Sequence, residues 1–356
     1  MKTRPLGRTG LEVSEIGLGG IKFDDVSQEQ VTALVQNAID REINIIDTAR
    51  NYASSEVKLG RALEGRREEV ILSSKSQART GEGIRAELET SLRNLRTDWI
   101  DIYITHNLRL PENYDKAVGE GGAVAELERA REEGLIRHIG ISCHRYEETF
   151  LRAIHSGRFD LIMVAYNLLN DELMDREVMP RASEEGLGVL VMKPLGGGVL
   201  AEAGSKLTLP GERTPERPLE PADAIRFVLA NEDVDSAVVG MKSVEELEQD
   251  LLTVTEPQRL SEEELGAMRE AAAKLGKDFC RACGYCQPCP QGILIPIVLR
   301  HLFYHNRFGL EEWAQGRYGM VEVKANECVR CGECEEKCPY DLPIPDLLEE
   351  AHRKLA

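Results

Sequence analysis

Eight of the nine cysteines lie in the last 77 residues of the chain, where they form two tight arrays. Within each array at least three cysteines recur at every third position, and the last one is followed by proline. A C-x2-C-x2-C-x3-C-P run is typical of the thiolate ligands of 4Fe-4S clusters, which carry electrons. The second array matches this run, and the first has one residue fewer before its last cysteine. The arrays are Cys280, Cys283, Cys286 and Cys289, and Cys328, Cys331, Cys334 and Cys338.

Two other roles are open to clustered cysteines. Disulfides fit poorly, because the N-terminus lacks the apolar segment of a secretory signal and disulfides are rare in the cytosol. Zinc is an alternative, since C-x2-C pairs also form tetrahedral sulfur sites. The ninth cysteine, Cys143, lies far upstream, and we interpret it as a small buried apolar residue.

A second group of chemically active side chains lies in the first third of the chain. An ammonium beside a phenol favours the phenolate, and a carboxylate keeps that ammonium charged and oriented. Such a pair could lower the pKa of Tyr52 to about 7, so that the phenol acts as a general acid at neutral pH. A histidine could then donate a hydrogen bond to a carbonyl oxygen of the substrate. The group consists of Asp47, Tyr52, Lys75 and His106.

This group predicts reduction of a carbonyl, or oxidation of an alcohol, with hydride supplied by a cofactor. The alternative is a structural Lys75–Asp47 ion pair with an incidental tyrosine and histidine. The elements that carry the four residues decide whether the side chains meet.

Those elements follow from the spacing of apolar residues. Short runs that are apolar on both faces alternate with segments of helical spacing, which predicts parallel strands covered by helices. Eight strands over about 225 residues favour a closed (β/α)8 barrel over an open doubly wound sheet, and no G-x-G-x-x-G turn follows the first strand. Polar residues at the C-terminal ends of barrel strands share one mouth. The runs are 16–18, 43–46, 70–72, 100–104, 136–141, 161–164, 187–192 and 237–239.

Composition restricts the class of protein. The net charge of -18 and the pI near 5.0 argue against nucleic acid or an anionic membrane surface as a partner. No segment is apolar enough to span a membrane, so we expect a cytoplasmic protein. The length predicts a large domain over residues 1–275 and a small one over residues 276–356.

Four stretches of the first domain resemble the aldo-keto reductase family. The resemblance covers roughly residues 1–275 and implies a barrel that opens with a small hairpin and binds NADPH or NADH without a Rossmann domain. It also implies that the four residues above form the catalytic tetrad, with Tyr52 as the general acid. The stretches are RPLGRTGLEVS (4–14), IDTARNY (46–52), SEVKLGRAL (55–63) and IGIS (139–142).

The implied nicotinamide pocket departs from the family pattern. Where most members carry Ser-Asn, a glutamine and a stacking aromatic residue, this chain has Ser142-Cys143, Met163 and Met192. A thiol and a thioether are weak hydrogen-bonding substitutes for amides. Lys193 could contact the cofactor or the substrate, and a buried strand-end lysine could also form a Schiff base, so aldolase-like chemistry is an alternative.

The implied dinucleotide phosphate site is better preserved. After the last strand, Gly240, Lys242 and Ser243 are placed to bind a phosphate, and the resemblance assigns the last two to the adenosine 2′-phosphate. Glu246 and residues 249–250 replace the usual Arg or Gln and Glu-Asn. Glu246 would repel a 2′-phosphate and suits a ribose hydroxyl, which leaves NADPH and NADH both open. The structural alternative for Ser243 is an ordinary N-cap.

The C-terminal domain is similar to the helical ferredoxins of respiratory complexes, because 38 residues with two helical segments, 293–308 and 310–313, separate the arrays. That resemblance implies a mostly helical domain with two 4Fe-4S clusters, in which the last cysteine of each array binds the other cluster. The implied ligand sets are Cys280, Cys283 and Cys286 with Cys338, and Cys328, Cys331 and Cys334 with Cys289.

Three functions fit the sequence. The first is an NAD(P)H-linked oxidoreductase that acts on a small carbonyl or alcohol and passes electrons through its clusters to or from a redox protein partner. In the second, the clusters only stabilise a small domain of an ordinary reductase. In the third, the altered pocket no longer binds nicotinamide, and the chain is an iron–sulfur electron carrier or redox sensor.

Overall fold

The chain folds into two compact units, seen in a computed structural model. The structure describes residues 1–108, 111–144, 147–169, 174–198, 200–201, 208–209, 217–218, 220–255, 260–273, 279–281, 284–308 and 311–356. Unit one comprises Met1–Pro194 and Pro221–Ser261, and unit two comprises Leu195–Glu220 and Glu262–Ala356. The boundary predicted between 275 and 276 lies outside the described residues.

Unit one opens with the antiparallel hairpin that the family resemblance implied. Strand β1 (Thr3–Pro5) pairs with β2 (Glu12–Ser14). Leu6 and Val13 of the hairpin belong to the apolar cluster of the barrel interior, together with Ile102 and Leu161. The hairpin therefore contributes to the core of the barrel.

The eight predicted apolar runs all form parallel strands of one closed barrel, so the predicted fold is confirmed. The strands pair in chain order, and the last of them pairs with both its predecessor and the first. A short antiparallel pair, β10 (Thr208–Leu209) and β11 (Arg217–Pro218), belongs to unit two. The barrel strands are β3 (Ile16–Gly19), β4 (Ile45–Asp47), β5 (Ile71–Ser76), β6 (Ile100–Thr105), β7 (Ile136–Cys143), β8 (Leu161–Ala165), β9 (Gly188–Met192) and β12 (Ser236–Gly240).

Amphipathic helices follow the strands and cover the barrel. The first begins at a capping box, in which the Ser27 hydroxyl and the Gln30 side chain each accept a hydrogen bond from the other residue's backbone N–H. Its buried residues recur at helical spacing, as the sequence predicted. The helices of unit one are α1 (Gln28–Asp40), α2 (Ser55–Ala62), α3 (Gly81–Leu95), α4 (Pro111–Val118), α5 (Ala123–Glu132), α6 (Glu147–Ser156), α7 (Met179–Glu184), α8 (Pro221–Leu229) and α9 (Val244–Thr255).

Unit two is mostly helical, as predicted. Its apolar core joins the first long helix after the first cysteine array to the C-terminal helix, through residues such as Val298, Leu302 and Leu348. The predicted helical segments correspond to α11 (Ile295–Phe308) and α12 (Glu311–Gly319), and α12 is longer than the sequence indicated. The other helices are α10 (Glu262–Ala273), α13 (Glu333–Glu336) and α14 (Ile344–Leu355).

Within the ranges described, none of the helices has the length and apolar character that crossing a bilayer requires.

Replacement of Gly7 by alanine should destabilise the barrel. Gly7 has φ +47°, and a Cβ at this position would lie 2.3 Å from the backbone nitrogen of Gly188. Gly10, in the same turn, has φ +76° and no atom within 4 Å of that position. Gly7→Ala should lower the free energy of unfolding by about 2–4 kcal/mol and Gly10→Ala by about 1 kcal/mol. Urea unfolding followed by Trp99 fluorescence in a Trp313→Phe background measures both losses, and equal losses would contradict the close contact.

Candidate active site

A buried ion pair lies at the C-terminal end of the barrel strands. Asp47 is the last residue of β4 and pairs in register with Ser73 of β5, which places Lys75 beside it. The Lys75 ammonium donates a hydrogen bond to Asp47 Oδ2 and another, of 2.7 Å, to the carbonyl oxygen of Thr48. The Ser73 hydroxyl donates to Asp47 Oδ1 over 2.8 Å. The two charged side chains are only 1% and 7% exposed, so each depends on the other for compensation of its charge.

Tyr52 lies next to this pair, in the turn before α2. Lys75 Nζ is 4.9 Å from the centre of the Tyr52 ring. Lys75 lowers the pKa of the phenol as expected, but the expected net fall to about 7 is wrong, because the net shift is upward. Burial raises the pKa of Tyr52, and this effect outweighs the opposing charge and hydrogen bond of Lys75. The phenol therefore stays protonated through neutral pH, which is the form that can donate a proton.

His106 completes the predicted group. It follows β6 directly, and its backbone N–H donates to Ser76 over 2.8 Å. Its ring centre lies 6.1 Å from that of Tyr52, at an interplanar angle of 87°. Burial, with the nearby charge of Lys75, lowers the pKa of His106 well below its usual 6.5. The structure thus brings all four residues together, with a neutral imidazole and a neutral phenol beside one ion pair.

Lys75 stays charged because its partners outweigh the effect of burial. Burial alone would lower the pKa of the ammonium, but the charge of Asp47 and the hydrogen bonds to Asp47 and Tyr52 raise it above its usual value. The lysine is therefore a fixed cation, and it can orient the phenol and polarise a nearby oxygen.

The residues expected around the nicotinamide lie at the ends of neighbouring strands. The Ser142 hydroxyl accepts a hydrogen bond of 3.0 Å from the backbone N–H of Asn107. Lys193 follows β9 in a left-handed conformation, with φ 59°, and its carbonyl oxygen accepts a bond of 3.0 Å from Asn167. Cys143 is fully buried, as its interpretation as a small apolar residue predicted.

Met163 is fully buried in the apolar cluster of the barrel interior, and Met192 packs against that cluster. The two methionines therefore line the interior beneath the strand ends of β8 and β9.

Two polar side chains at strand ends were not among the residues predicted from the sequence. Asn167, soon after β8, fixes the carbonyl of Lys193, and His144 follows β7 and is 4% exposed. The signal was available, because both are polar residues just beyond the ends of predicted strands.

The predicted phosphate site lies at the start of α9. Gly240 and Lys242 are exposed there. Ser243 accepts a hydrogen bond of 3.3 Å from the backbone N–H of Glu246, so it caps the helix. The Glu246 carboxylate accepts a hydrogen bond of 2.7 Å from the backbone N–H of Lys242. The Glu246 carboxylate therefore already accepts from the Lys242 N–H, which was predicted to be available to a phosphate.

In unit two the cysteine arrays meet. One small cavity is lined by Cys286 and Cys289 of the first array and by Cys328, Cys331 and Cys334 of the second. Cys338 is buried in the apolar core of this unit, and Cys280 packs against that core. Cys283 lies outside the described residues.

The surroundings of these sulfur atoms suit ligands of a cationic centre. Burial, and then the neighbouring Cys328, raise the pKa of Cys334 to about 11, so its thiolate needs a positive partner. The backbone N–H of Arg330 donates to the Cys328 sulfur over 3.4 Å. Among the described side chains, no three Cys, His, Asp or Glu groups converge as a single metal ion requires. In a four-iron cluster each thiolate binds a different iron, so the sulfur atoms need not converge on one point.

Comparison with known proteins identifies both units. A family model described as "Aldo/keto reductase family" matches residues 15–222, more than half of the chain. A model described as "4Fe-4S dicluster domain" matches residues 279–343. The barrel and its polar mouth define an oxidoreductase that acts on carbonyl or alcohol groups. The chain belongs to the aldo/keto reductase family, whose members use NAD(P)H, and carries a 4Fe-4S dicluster domain at its C-terminal end.

Individual relatives agree with this assignment. L-galactose dehydrogenase of Arabidopsis thaliana is 30% identical over 298 residues, which cover 73% of this chain and 90% of that protein. NADH-specific methylglyoxal reductase of Escherichia coli is 31% identical over 242 residues, which cover 59% of this chain and 72% of that protein. The holo form of an aldo-keto reductase from Bacillus halodurans has 26% identity and a TM-score of 0.65, covering 76% of this chain and 96% of its own.

The pH dependence should follow the raised pKa of Tyr52. Carbonyl reduction needs the protonated phenol, so its kcat should stay constant through neutral pH and fall only above the usual tyrosine value of 10.0. Alcohol oxidation needs the phenolate, so its kcat should rise as the pH increases towards the pKa of Tyr52. Initial rates measured in both directions at pH values from about 5 to 11 check this.

The matched variants are Tyr52→Phe and Tyr103→Phe. Loss of the Tyr52 hydroxyl should reduce kcat roughly 100- to 10,000-fold. Tyr103 is a buried tyrosine of β6 whose hydroxyl pairs with Ser91, and its loss should leave the profile unchanged. An alkaline limb centred near pH 7 in the wild type would contradict the raised pKa.

Proposed function

We propose that the barrel reduces a small polar carbonyl compound, or oxidises the corresponding alcohol, with Tyr52 as the proton donor. The observation that carries this proposal is the buried Lys75–Asp47 pair beside a protonated phenol and a neutral imidazole. Tyr52 gives its proton to the carbonyl oxygen, and His106 donates a hydrogen bond to the same oxygen. Lys75 stabilises the phenolate that remains, and Asp47 keeps Lys75 charged and oriented.

Nicotinamide, when bound, supplies or accepts the hydride. Ser142 and Lys193 lie at the strand ends where the nicotinamide side of the cofactor would be held, and Gly240, Lys242 and Ser243 lie where its phosphates would be held. The exposed Gly240 and Lys242 fit this role, because a residue without a side chain and a cation suit an approaching phosphate. A galactose dehydrogenase and a methylglyoxal reductase among the relatives support a small, polar substrate.

The helix after β12 favours NADH over NADPH. The Glu246 carboxylate is held at the start of this helix by the backbone N–H of Lys242. One turn further, Asp250 is 5% exposed, and burial and the charge of Glu246 raise the pKa of Asp250 to about 7. Four residues separate Glu246 from Asp250 in the helix, so the two carboxyl groups share one face. The exposed Glu246 carboxylate would repel a 2′-phosphate, whereas a ribose hydroxyl can donate to it, and the name of one relative specifies NADH.

The cysteines of unit two are proposed to hold two 4Fe-4S clusters that exchange electrons with a redox protein partner. The cavity that joins Cys289 to Cys328, Cys331 and Cys334 supports this, because it contains one complete ligand set that the exchange of last cysteines implies, with Cys286 of the other set beside it. Cys280, Cys283, Cys286 and Cys338 form the other proposed set. Cys331 is the exposed cysteine among those described, which gives the second cluster a contact with solvent.

A structural role for the clusters is the second candidate. Cys286, Cys334 and Cys338 are buried in the apolar core of unit two, and three more cysteines pack against it. A cluster bound to cysteines within this core would link α11 and α14 to the cysteine loops. A small domain that needs a metal centre for stability is expected to have such links.

Removal of one ligand separates the two roles. Anaerobically prepared protein should contain iron and acid-labile sulfide, oxidise NADH with small aldehydes, and reduce cytochrome c with NADH. In Cys331→Ser, electron transfer predicts loss of cytochrome c reduction while aldehyde reduction persists. The structural role predicts that neither the wild type nor the variant reduces cytochrome c, and that the variant has a lower melting temperature but retains aldehyde reduction at low temperature.

The control for this ligand change is Val329→Ser, an exposed neighbour in the same loop, which should behave as the wild type. Wild-type protein without iron and sulfide would contradict both roles. Wild-type protein that fails to consume NADH with any aldehyde would contradict the proposed reaction.

Charge removal at Glu246 should relax the preference for NADH. Glu246→Gln should raise kcat/KM for NADPH roughly fivefold relative to NADH, as expected for about 1 kcal/mol of repulsion between exposed charges. Glu248→Gln is the control, because Glu248 pairs with Arg41 and lies off the face of Glu246. A wild type that prefers NADPH, or equal changes in the two variants, would contradict the assignment.

A further inference from the structure

Hydrogen bonds to residues at the ends of neighbouring strands fix the turn that follows His106. The backbone N–H groups of Asn107 and Leu108 donate to the Ser142 hydroxyl, over 3.0 Å, and to the Ser142 carbonyl oxygen, over 2.9 Å. Asn107 has φ 54°, a left-handed conformation that asparagine tolerates better than most residues. The chain therefore turns sharply away from β6 just after His106, and β7 fixes the turn.

Arg79 holds the opposite side of the same turn. One nitrogen of its guanidinium, Nη2, donates to the carbonyl oxygen of His106 over 2.7 Å and to that of Asn107 over 3.0 Å. The peptide groups on both sides of Asn107 are therefore fixed by Arg79, which follows β5, and by Ser142, near the end of β7.

The side chain of Asn107 has a partner as well. His144 Nδ1 lies 3.3 Å from Asn107 Oδ1. Burial, with the nearby charges of Lys193 and Lys75, lowers the pKa of His144 well below 6.5, so its imidazole is neutral and carries one hydrogen. Because the amide oxygen of Asn107 accepts, that hydrogen is on Nδ1.

We propose that His144 is a positioning residue, which fixes His106 through its hydrogen bond to the Asn107 side chain. The inference rests on the proposed function, since it concerns the imidazole that donates to the substrate carbonyl. His106 has little freedom to shift unless Asn107 moves, and Asn107 is connected to β7 through its backbone and through His144. A small displacement of a donor from the reacting oxygen is costly, because catalysis depends on the correct distance and alignment.

Variants of the two partners test the connection. His144→Ala and Asn107→Ala should each lower kcat roughly 10- to 100-fold, the usual effect of a partner that orients a reacting group. Their effects should not add, so the double variant should have the kcat of the worse single variant. His144→Gln restores an N–H donor and should recover most of kcat. The dissociation constant for NADH, measured by fluorescence titration, should be unchanged in all four, which also shows that the barrel is folded.

His138→Gln is the matched control. His138 lies near the other end of β7, with its Nδ1 3.9 Å from Asp160 Oδ2, and its replacement should leave kcat unchanged. Multiplicative losses in the double variant, kcat within twofold of wild type in His144→Ala, or no recovery in His144→Gln would each overturn the proposal.

A readout without turnover separates this proposal from the proposed function. The chain has seven histidines, so their imidazole nitrogens can be followed by NMR after labelling with 15N-histidine, and His106→Gln assigns the His106 signals. His144→Gln and Asn107→Ala should shift the His106 signals, and His138→Gln should not. Unshifted signals would overturn the positioning role, whereas shifted signals in a protein that reduces no carbonyl would overturn only the proposed reaction.

Discussion

The buried ion pair of Lys75 and Asp47 is the interaction on which the active-site mouth depends. Removal of two charges from water costs several kcal/mol per ion, and only good geometry with further hydrogen bonds offsets that cost. The Ser73 hydroxyl and the Thr48 carbonyl oxygen supply those bonds. The pair therefore fixes the alignment of β4 with β5, and with it the turn that carries Tyr52.

Burial then sets the protonation states around the pair. The same low-dielectric surroundings disfavour a phenolate at Tyr52 and an imidazolium at His106, so both groups stay neutral beside one compensated cation. A neutral phenol is a proton donor and a neutral imidazole is a hydrogen-bond donor, so both can act on one carbonyl oxygen. The mouth can therefore protonate a carbonyl oxygen during its reduction without a strongly acidic residue.

In the second unit the cysteine side chains have the central role. Most of the cysteines that the structure describes in its two arrays belong to its apolar core or pack against it, so the same side chains contribute to stability and to the proposed ligand sets. A small domain gains from such a centre, because its own core is limited. For this reason electron transfer and structural support are not exclusive, and the exposed Cys331 is the proposed ligand whose replacement can distinguish them.

The sequence by itself determined the barrel, the helical second unit and the residue types of the mouth, because apolar periodicity, cysteine spacing and strand-end position are local patterns, and the family resemblance added the hairpin. Tertiary structure decided how those residues behave. Burial reversed the expected pKa shift of Tyr52, and Glu246 folded back onto the Lys242 amide that a phosphate was expected to use. The contact between Asn107 and His144 joins residues 37 positions apart. Desolvation and long-range hydrogen bonds depend on which distant side chains surround a group, and no local pattern in the sequence records that.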